Sequence, residues 1–587
     1  MNKILKIIAL TFIAAGCTRG NDVLWLAGGG MQPEGEPYYE YRILNHWDNL
    51  DDSVERGYAG ESIWNWTGEL PVERIHTYGR LNRSIGINGS VLNNVNANPR
   101  ILTDEYLQRV RDIADILREY GIRTYLSINF ATPMALGELP TADPLDPGVR
   151  QWWKSRIEKI YEMIPDFGGF LVKASSEGQP GPQDFGRSHA EGANMLADAL
   201  APHNGIVMWR AFVYAASSPD RANQAVEEFK PLDGQFADNV IIQIKNGPVD
   251  FQPREPVNPL FFNLEQTASM PEFQVTQEYL GQAWHLTFLA PMWQEFFETL
   301  GTYGNIENKA IAGVANTGQQ ENWCGHIFSQ ANWYAFGRLA WDPSLSAEQI
   351  ADEWIRGTFP KPRWCTAKKF EREFISPVKD MMLRSREACV NYEMPLGFHH
   401  IFNGSHYGPG PWQRAPRPDW EPAYYHKAAA DGIGFDRTIA SGSGNTAQYP
   451  EPLESIYDNL ETCPENLLLW FHHVGWDYTL SSGRSVWDEI CLHYDAGIRE
   501  VQSFLDTWAA VRKYVAPDIW EQVQERLKVQ EEDARWWRDA CVQYFGGFSG
   551  MPVPPEVQAP QIPLDSLMRR LGMPPVVNTG EVENSSF

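Results

Sequence analysis

From about residue 41, short apolar runs alternate with longer segments whose apolar residues recur every three or four positions. The short runs read as strands: YRILNHW (41–47), GSVLNNV (89–95), RTYLSINF (123–130), GFLVKAS (169–175), IVMWRAFV (206–213), NVIIQIKN (239–246), EFQVTQEY (272–279) and IAGVANTG (311–318). Among the longer segments, TDEYLQRVRDIADILREYG (103–121) opens on Thr103 as an N-cap, keeps helical spacing and stops at Gly121. Residues 148–165 and 186–202 follow the same rule. Eight strand–helix units in about 300 residues predict a (β/α)8 barrel. A doubly wound open sheet would announce itself by a Gly-rich first turn, and no GxGxxG follows a strand here.

After SLSAEQIADEWIRGTF (344–359) the alternation stops. Long helices are predicted over 368–394, 454–474, 485–515 and 522–545, interrupted by a Gly/Pro/His/Tyr-rich stretch at about 396–450. The expected layout is a leader at 1–17, a linker at 18–40, a barrel at 41–360, a mainly helical C-terminal domain at 361–550 and a Pro-rich tail at 551–587. The leader MNKILKIIALTFIAAGC carries two lysines, an apolar run and small residues ending at Cys17. It reads as an export signal, too short to span a bilayer, with a lipoprotein-type cleavage box before an acylated Cys17. The expected location is therefore periplasmic or outer-membrane, with membrane contact only through that lipid; plain secretion is the alternative.

Composition narrows the chemistry. A net charge of −26 gives no basic footprint for nucleic acid. The 23 Trp, 23 Tyr and 28 Phe suit either large aromatic cores or stacking against the C–H faces of sugars. Six further cysteines (Cys324, Cys365, Cys389, Cys463, Cys491, Cys541) form no CxxC pair, and no HExxH occurs, so no metal and no cofactor are expected. His399, His400, His406, His472 and His473 read as core or rim hydrogen-bonding groups.

Barrel sites form at the C-terminal ends of strands. Lys173, Arg210 and Lys245 end strands 4, 5 and 6 in this reading, aiming three cations at one mouth. Carboxylates follow them: Glu177 after strand 4, Asp250 after strand 6 and Glu278 at the end of strand 7. These charges could neutralise one another as a rim network. They also suit the carboxylate of a uronic acid, with the acidic groups free for glycoside hydrolysis. Strand 4 is taken to lie roughly across the barrel from strands 6 and 7, leaving room for a water. A separation of about 6.5–9.5 Å predicts inversion, and about 5–5.5 Å retention. A general acid must stay protonated, so Lys173 is expected to serve mainly the substrate carboxylate.

LNHWDNLDDSVERGYAG (44–60), SIGINGSVLNNVNA (84–97), IPDFGGFLVKASSEGQPGP (164–182), FKPLDGQFADNVIIQIKNGPVDFQPREP (229–256), FQVTQEYLGQ (273–282) and CPENLLLWFHHV (463–474) resemble glycoside hydrolase family 67, the xylan α-glucuronidases. The likeness covers roughly residues 40–545. It implies a (β/α)8 barrel followed by a helical domain. It also implies inverting removal of α-1,2-linked (4-O-methyl)glucuronic acid from the terminal xylose of glucuronoxylan-derived oligosaccharides, without a metal. By motif, Glu177 matches the family's general acid, and Asp250 and Glu278 its water-directing carboxylates. Lys173, Arg210 and Lys245 match its uronate-holding groups, Trp47 and Val95 its pocket lining, and Trp420 a C-terminal-domain tryptophan. The family's usual N-terminal β-sandwich is not expected before the first strand. A homodimer through the C-terminal helices is possible. Two rivals stay open: a Schiff-base aldolase or lyase using Lys173 or Lys245 on an acidic sugar, and a non-catalytic glycan-binding lipoprotein.

Overall fold

A computed structural model describes residues 33–211, 218–304, 310–570 and 572. The leader with Cys17, the end of the fifth predicted strand and the last part of the tail lie outside the described residues. Eight parallel strands close in sequential order: β1 Tyr41–Asn45, β2 Gly89–Val91, β3 Arg123–Ile128, β4 Gly169–Val172, β5 Ile206–Arg210, β6 Val240–Lys245, β7 Ser269–Gln274 and β8 Ala310–Val314. Closure is completed by β1 against β8, with Ile43 opposite Ala312. Nearly every strand residue is buried, because a parallel barrel is covered on both faces. Inward-pointing Ile43, Val91, Tyr125, Leu171, Met208, Ile241, Met270 and Ala312 fill the barrel.

Helices cover the outside. Asp104–Arg118 follows Thr103, which takes the extended N-cap conformation, although its hydroxyl makes no capping bond. His189–Leu200 opens on a capping box: Ser188 Oγ accepts from Glu191 N (3.2 Å) and Glu191 Oε2 accepts from Ser188 N (2.8 Å). The β6–β7 connection carries only a short 3-10 turn, Pro259–Phe262.

Three differences from the sequence reading bear on the site. β7 begins at Ser269 and ends at Gln274, so Glu278 lies in the loop beyond the strand, while Glu272 falls inside it. Pro271 lies inside β7, its missing N–H tolerated within the parallel ladder to Ile244. The closed order sets β7 three places from β4 and β6 only two, so Asp250 comes from a strand a quarter-turn away rather than opposite. Finally, residues 454–474 do not form one helix. They fold as Leu453–Asp458 and Leu468–Phe471 around a turn, since Pro464 breaks the run and the apolar residues pack in a separate cluster with Tyr425 and Tyr449.

The C-terminal region is built on the helices Ser376–Glu393, Val486–Val511 and Pro517–Ser549. It grips the loop after β7. Leu286 N donates to Gln530 Oε1 (2.9 Å), Phe288 N to Ser385 Oγ (2.8 Å), and His285 bridges Tyr392 Oη (2.9 Å) and Asp533 Oδ2 (3.0 Å). Buried polar partners of this kind fix one docking angle, because leaving any of them unpaired is costly. The six cysteines are free thiols; burial pushes Cys324, Cys463 and Cys541 up to about 12. Residues 551–570 run irregularly to the one-turn helix Leu564–Leu567.

Candidate active site

The strand ends converge on one cavity of about 400 Å³, roofed by the C-terminal region. Every candidate named from the sequence lines it: Trp47, Val95, Lys173, Glu177, Arg210, Lys245, Asp250, Glu278 and Trp420. They arrive from β1, β2, β4, β5, β6, the loop after β7 and the C-terminal region, spread over more than 370 residues of chain.

Each cation holds an acid. Lys173, one residue past β4, bonds Asn96 Oδ1 (2.8 Å) and also the Glu177 carboxylate. Arg210, the last residue of β5, makes a two-pronged bond to Glu272, with both contacts at 2.7 Å and both side chains buried. Lys245, the last residue of β6, donates to Asp250 Oδ1 (2.7 Å). The rim-network reading is therefore literally present in the ligand-free molecule. It does not make the groups inert, because Lys173 and Lys245 still face the cavity.

Burial and neighbouring charge tune these groups in opposite directions. Burial, reinforced by Arg210, pulls Lys245 down to about 8 against the pull of Asp250. Lys173 is lowered by burial in the same way, with Glu177 opposing. Burial works against an ionised Asp250, yet Lys245, Arg221 and the hydroxyl of Tyr279, 2.5 Å from Oδ2, hold it well below the usual carboxylate range. Asp250 is thus a carboxylate at neutral pH. Its loop is held from behind by Glu255, which accepts from Val249 N and Asp250 N (2.8 Å each) and from Gln252 Nε2 (2.6 Å). Burial lifts Glu255 to about 7.

Glu278 is also kept ionised. Burial opposes this, but His406 Nδ1 (2.7 Å) and Arg56 Nε (2.5 Å) both meet its Oε1, and Gln274 Nε2 donates to Oε2 (2.9 Å). Glu177 is set apart from this pair. It is the more exposed acid, with 36% of its side chain accessible, and its backbone sits in the left-handed region at φ 47°. A non-glycine residue there persists only where surrounding contacts over-determine it. Trp47 lies against Arg210, whose guanidinium carbon is 5.5 Å from the ring centroid, and Trp420 carries Arg417 at 4.7 Å.

Sequence reasoning missed several lining groups: Glu55, Arg56, Asn96, Arg221, Tyr279 and Gln413. It also missed Glu272, which no strand-end rule could find once β7 was placed three residues late. His406 was read as a rim hydrogen-bonding residue, and its partner proves to be a site carboxylate. His472 and His473 bond the carbonyls of Tyr457 (2.8 Å) and Gly434 (2.9 Å), facing apart. Among the described residues no group of three His, Cys, Asp or Glu side chains is placed to hold a metal ion.

Carboxylates gathered around the C-terminal mouth of a closed parallel barrel are an arrangement that the class of barrel glycoside hydrolases uses. Within that class the chain belongs to glycosyl hydrolase family 67: the family's middle domain matches residues 29–323 and its C-terminal domain residues 324–558. Among curated proteins it is 44% identical over 551 residues to alpha-glucuronidase A of Emericella nidulans, and 40% identical over 546 residues to the alpha-glucuronidase of Hypocrea jecorina. Each alignment covers 88% of this chain and 63% of the relative, so the chain spans less than two thirds of the length of the proteins it matches. A Thermobaculum terrenum O-GlcNAc hydrolase mutant aligns over 87% of this chain and 86% of its own, with 9% identity and a TM-score of 0.40, a likeness that carries no argument.

Proposed function

We propose that the protein is an inverting α-glucuronidase that removes α-1,2-linked (4-O-methyl)glucuronic acid from the terminal xylose of xylo-oligosaccharides. The observation that carries this reading is the convergence of Lys173, Arg210 and Lys245 with Glu177, Asp250 and Glu278 on one cavity. The relatives named alpha-glucuronidase support the choice of sugar. In this mechanism the uronate carboxylate takes Lys173, Arg210 and Lys245, against Trp47 and Val95. Its arrival draws Lys173 away from Glu177, which then holds the proton it delivers to the leaving xylose oxygen. Asp250 and Glu278, already ionised, accept from a water and direct it at the anomeric carbon from the other side. Trp420 stacks on the xylose.

Inversion is taken from the family resemblance, with Glu177 on the β4 side, half-exposed, and the two ionised carboxylates beyond β6 and β7. Proton NMR of aldouronic acid hydrolysis tests the whole reading. Initial β-glucuronate is expected; initial α-glucuronate overturns inversion, and no product overturns the activity. We further propose export and acylation at Cys17. Labelled palmitate incorporated by the expressed protein and lost in Cys17→Ser is expected, and equal labelling of both rejects it.

A further inference from the structure

We propose that His406, delivered by the helical C-terminal region, is a positioning residue for Glu278, so that the water-directing side of the site is assembled by two parts of the chain. The inference rests on the reading of Glu278 as a water-directing carboxylate.

The geometry ties His406 to both carboxylates on that side. Its Nδ1 is 2.7 Å from Glu278 Oε1. Its ring stacks on Tyr279, centroids 4.6 Å apart and planes 24° from parallel, and the Tyr279 hydroxyl donates to Asp250 Oδ2 at 2.5 Å. One imidazole therefore fixes Glu278 directly and backs the tyrosine that fixes Asp250.

The loop that carries it is over-determined. His406 sits in the left-handed region at φ 62°, a conformation that needs outside support in a residue with a Cβ. That support comes from His406 N donating to Asn403 O (3.0 Å), Asn403 N to Gly408 O (3.1 Å) and Gln282 Nε2 to Ser405 O (2.7 Å). Gly408, at φ 89°, presses the loop onto the Pro517–Ser549 helix: a Cβ there would come within 2.2 Å of the Trp536 ring. Tyr407 next to it bonds Asp533 of the same helix. The helical region thus places one nitrogen with a precision that a free rim histidine would lack.

Glu278 is faced by Arg56 and Tyr58 from the loop after β1, by Asp250 from the loop after β6, by its neighbour Tyr279, and by His406. Burial raises its pKa; His406 is the first influence that lowers it, followed by Arg56, while Asp250 raises it. Removing the imidazole therefore moves Glu278 upward. The acidic limb of kcat/KM, which reports the free enzyme's essential base, should move to higher pH.

The test uses the full chain, with His406→Ala and His406→Asn assayed on an aldouronic acid. The Asn side-chain amide can occupy the place of Nδ1. For His406→Ala, kcat is expected to fall about 10²-fold, the scale of a misplaced catalytic group, with KM little changed and the acidic limb shifted up. His406→Asn should recover most of the loss. Wild-type kcat and an unmoved limb in His406→Ala overturn the proposal. So do equal losses in both variants accompanied by a lowered Tm, which is the mark of a merely structural residue. A wild-type protein inert on the substrate overturns the functional reading instead, and this role with it.

Discussion

Replacing Glu272 by alanine separates structure from recognition in this barrel. Glu272 is fully buried within β7, and Arg210 beside it exposes only 2% of its side chain. Their two bonds of 2.7 Å satisfy the guanidinium from below the cavity. Removing the acid leaves a buried cation without its counter-charge, a defect that costs about 3–5 kcal/mol. At about 1.4 kcal/mol per tenfold, the folded-to-unfolded ratio falls by some two to four powers of ten. Urea unfolding followed by tryptophan fluorescence should show a clearly lower midpoint for Glu272→Ala. In the double variant Glu272→Leu with Arg210→Met, apolar groups of similar volume replace the pair. Stability should then return close to that of wild type, because exchanging a whole buried pair is often neutral. Activity should not return, since the uronate has lost a cation. A loss below about 1 kcal/mol for Glu272→Ala, the scale of an exposed ion pair, would refute this account and mean that water reaches Arg210 freely.

Three further predictions follow from other parts of the site and barrel. Glu177→Gln should lower kcat on aldouronic acids by about 10²–10⁴-fold, the worth of a general acid, yet spare a glucuronyl substrate whose leaving group needs no proton; equal loss on both would remove Glu177 from that role. Asp250 has a depressed folded pKa, so its stabilising contribution is complete above the ordinary aspartate value of about 3.9 and disappears as pH falls through the lower folded value. Lys245→Met should remove most of that contribution at pH 7, and an unchanged urea midpoint there would contradict the pairing. Burial raises Asp48 to about 8, with its Oδ2 accepting from Ser62 Oγ at 2.5 Å. The stability this gives is full below about pH 3.9 and lost as pH rises through about 8, so the wild-type midpoint should fall over that window. Asp48→Asn should be flat there, and a parallel decline in both would show that another group is responsible.

Period and punctuation in the sequence were enough to determine the barrel. Strand runs such as IVMWR and VIIQIK can only be buried on both faces, and helices such as Asp104–Arg118 can bury only one stripe, so the two must alternate in layers. The strand-end rule likewise carried Lys173, Arg210, Lys245 and Asp250 to the mouth, since it depends on local order alone. What tertiary structure decided is which charge meets which. Glu272 partners Arg210 because closure sets β5, β6 and β7 side by side with Lys245 opposite Glu272, a register that depends on the whole barrel. Arg56 and His406 meet on Glu278 from positions 350 residues apart, by way of a loop whose left-handed turn is held by a helix more than a hundred residues further on. Such contacts leave no periodic trace, because a hydrogen bond between distant loops constrains two side chains and nothing in between. Local order along the chain was enough to bring the main charged groups to the cavity; the meeting of Arg221 and Tyr279 on Asp250, and of Arg56 and His406 on Glu278, came only with barrel closure and the packing of the helical region onto it.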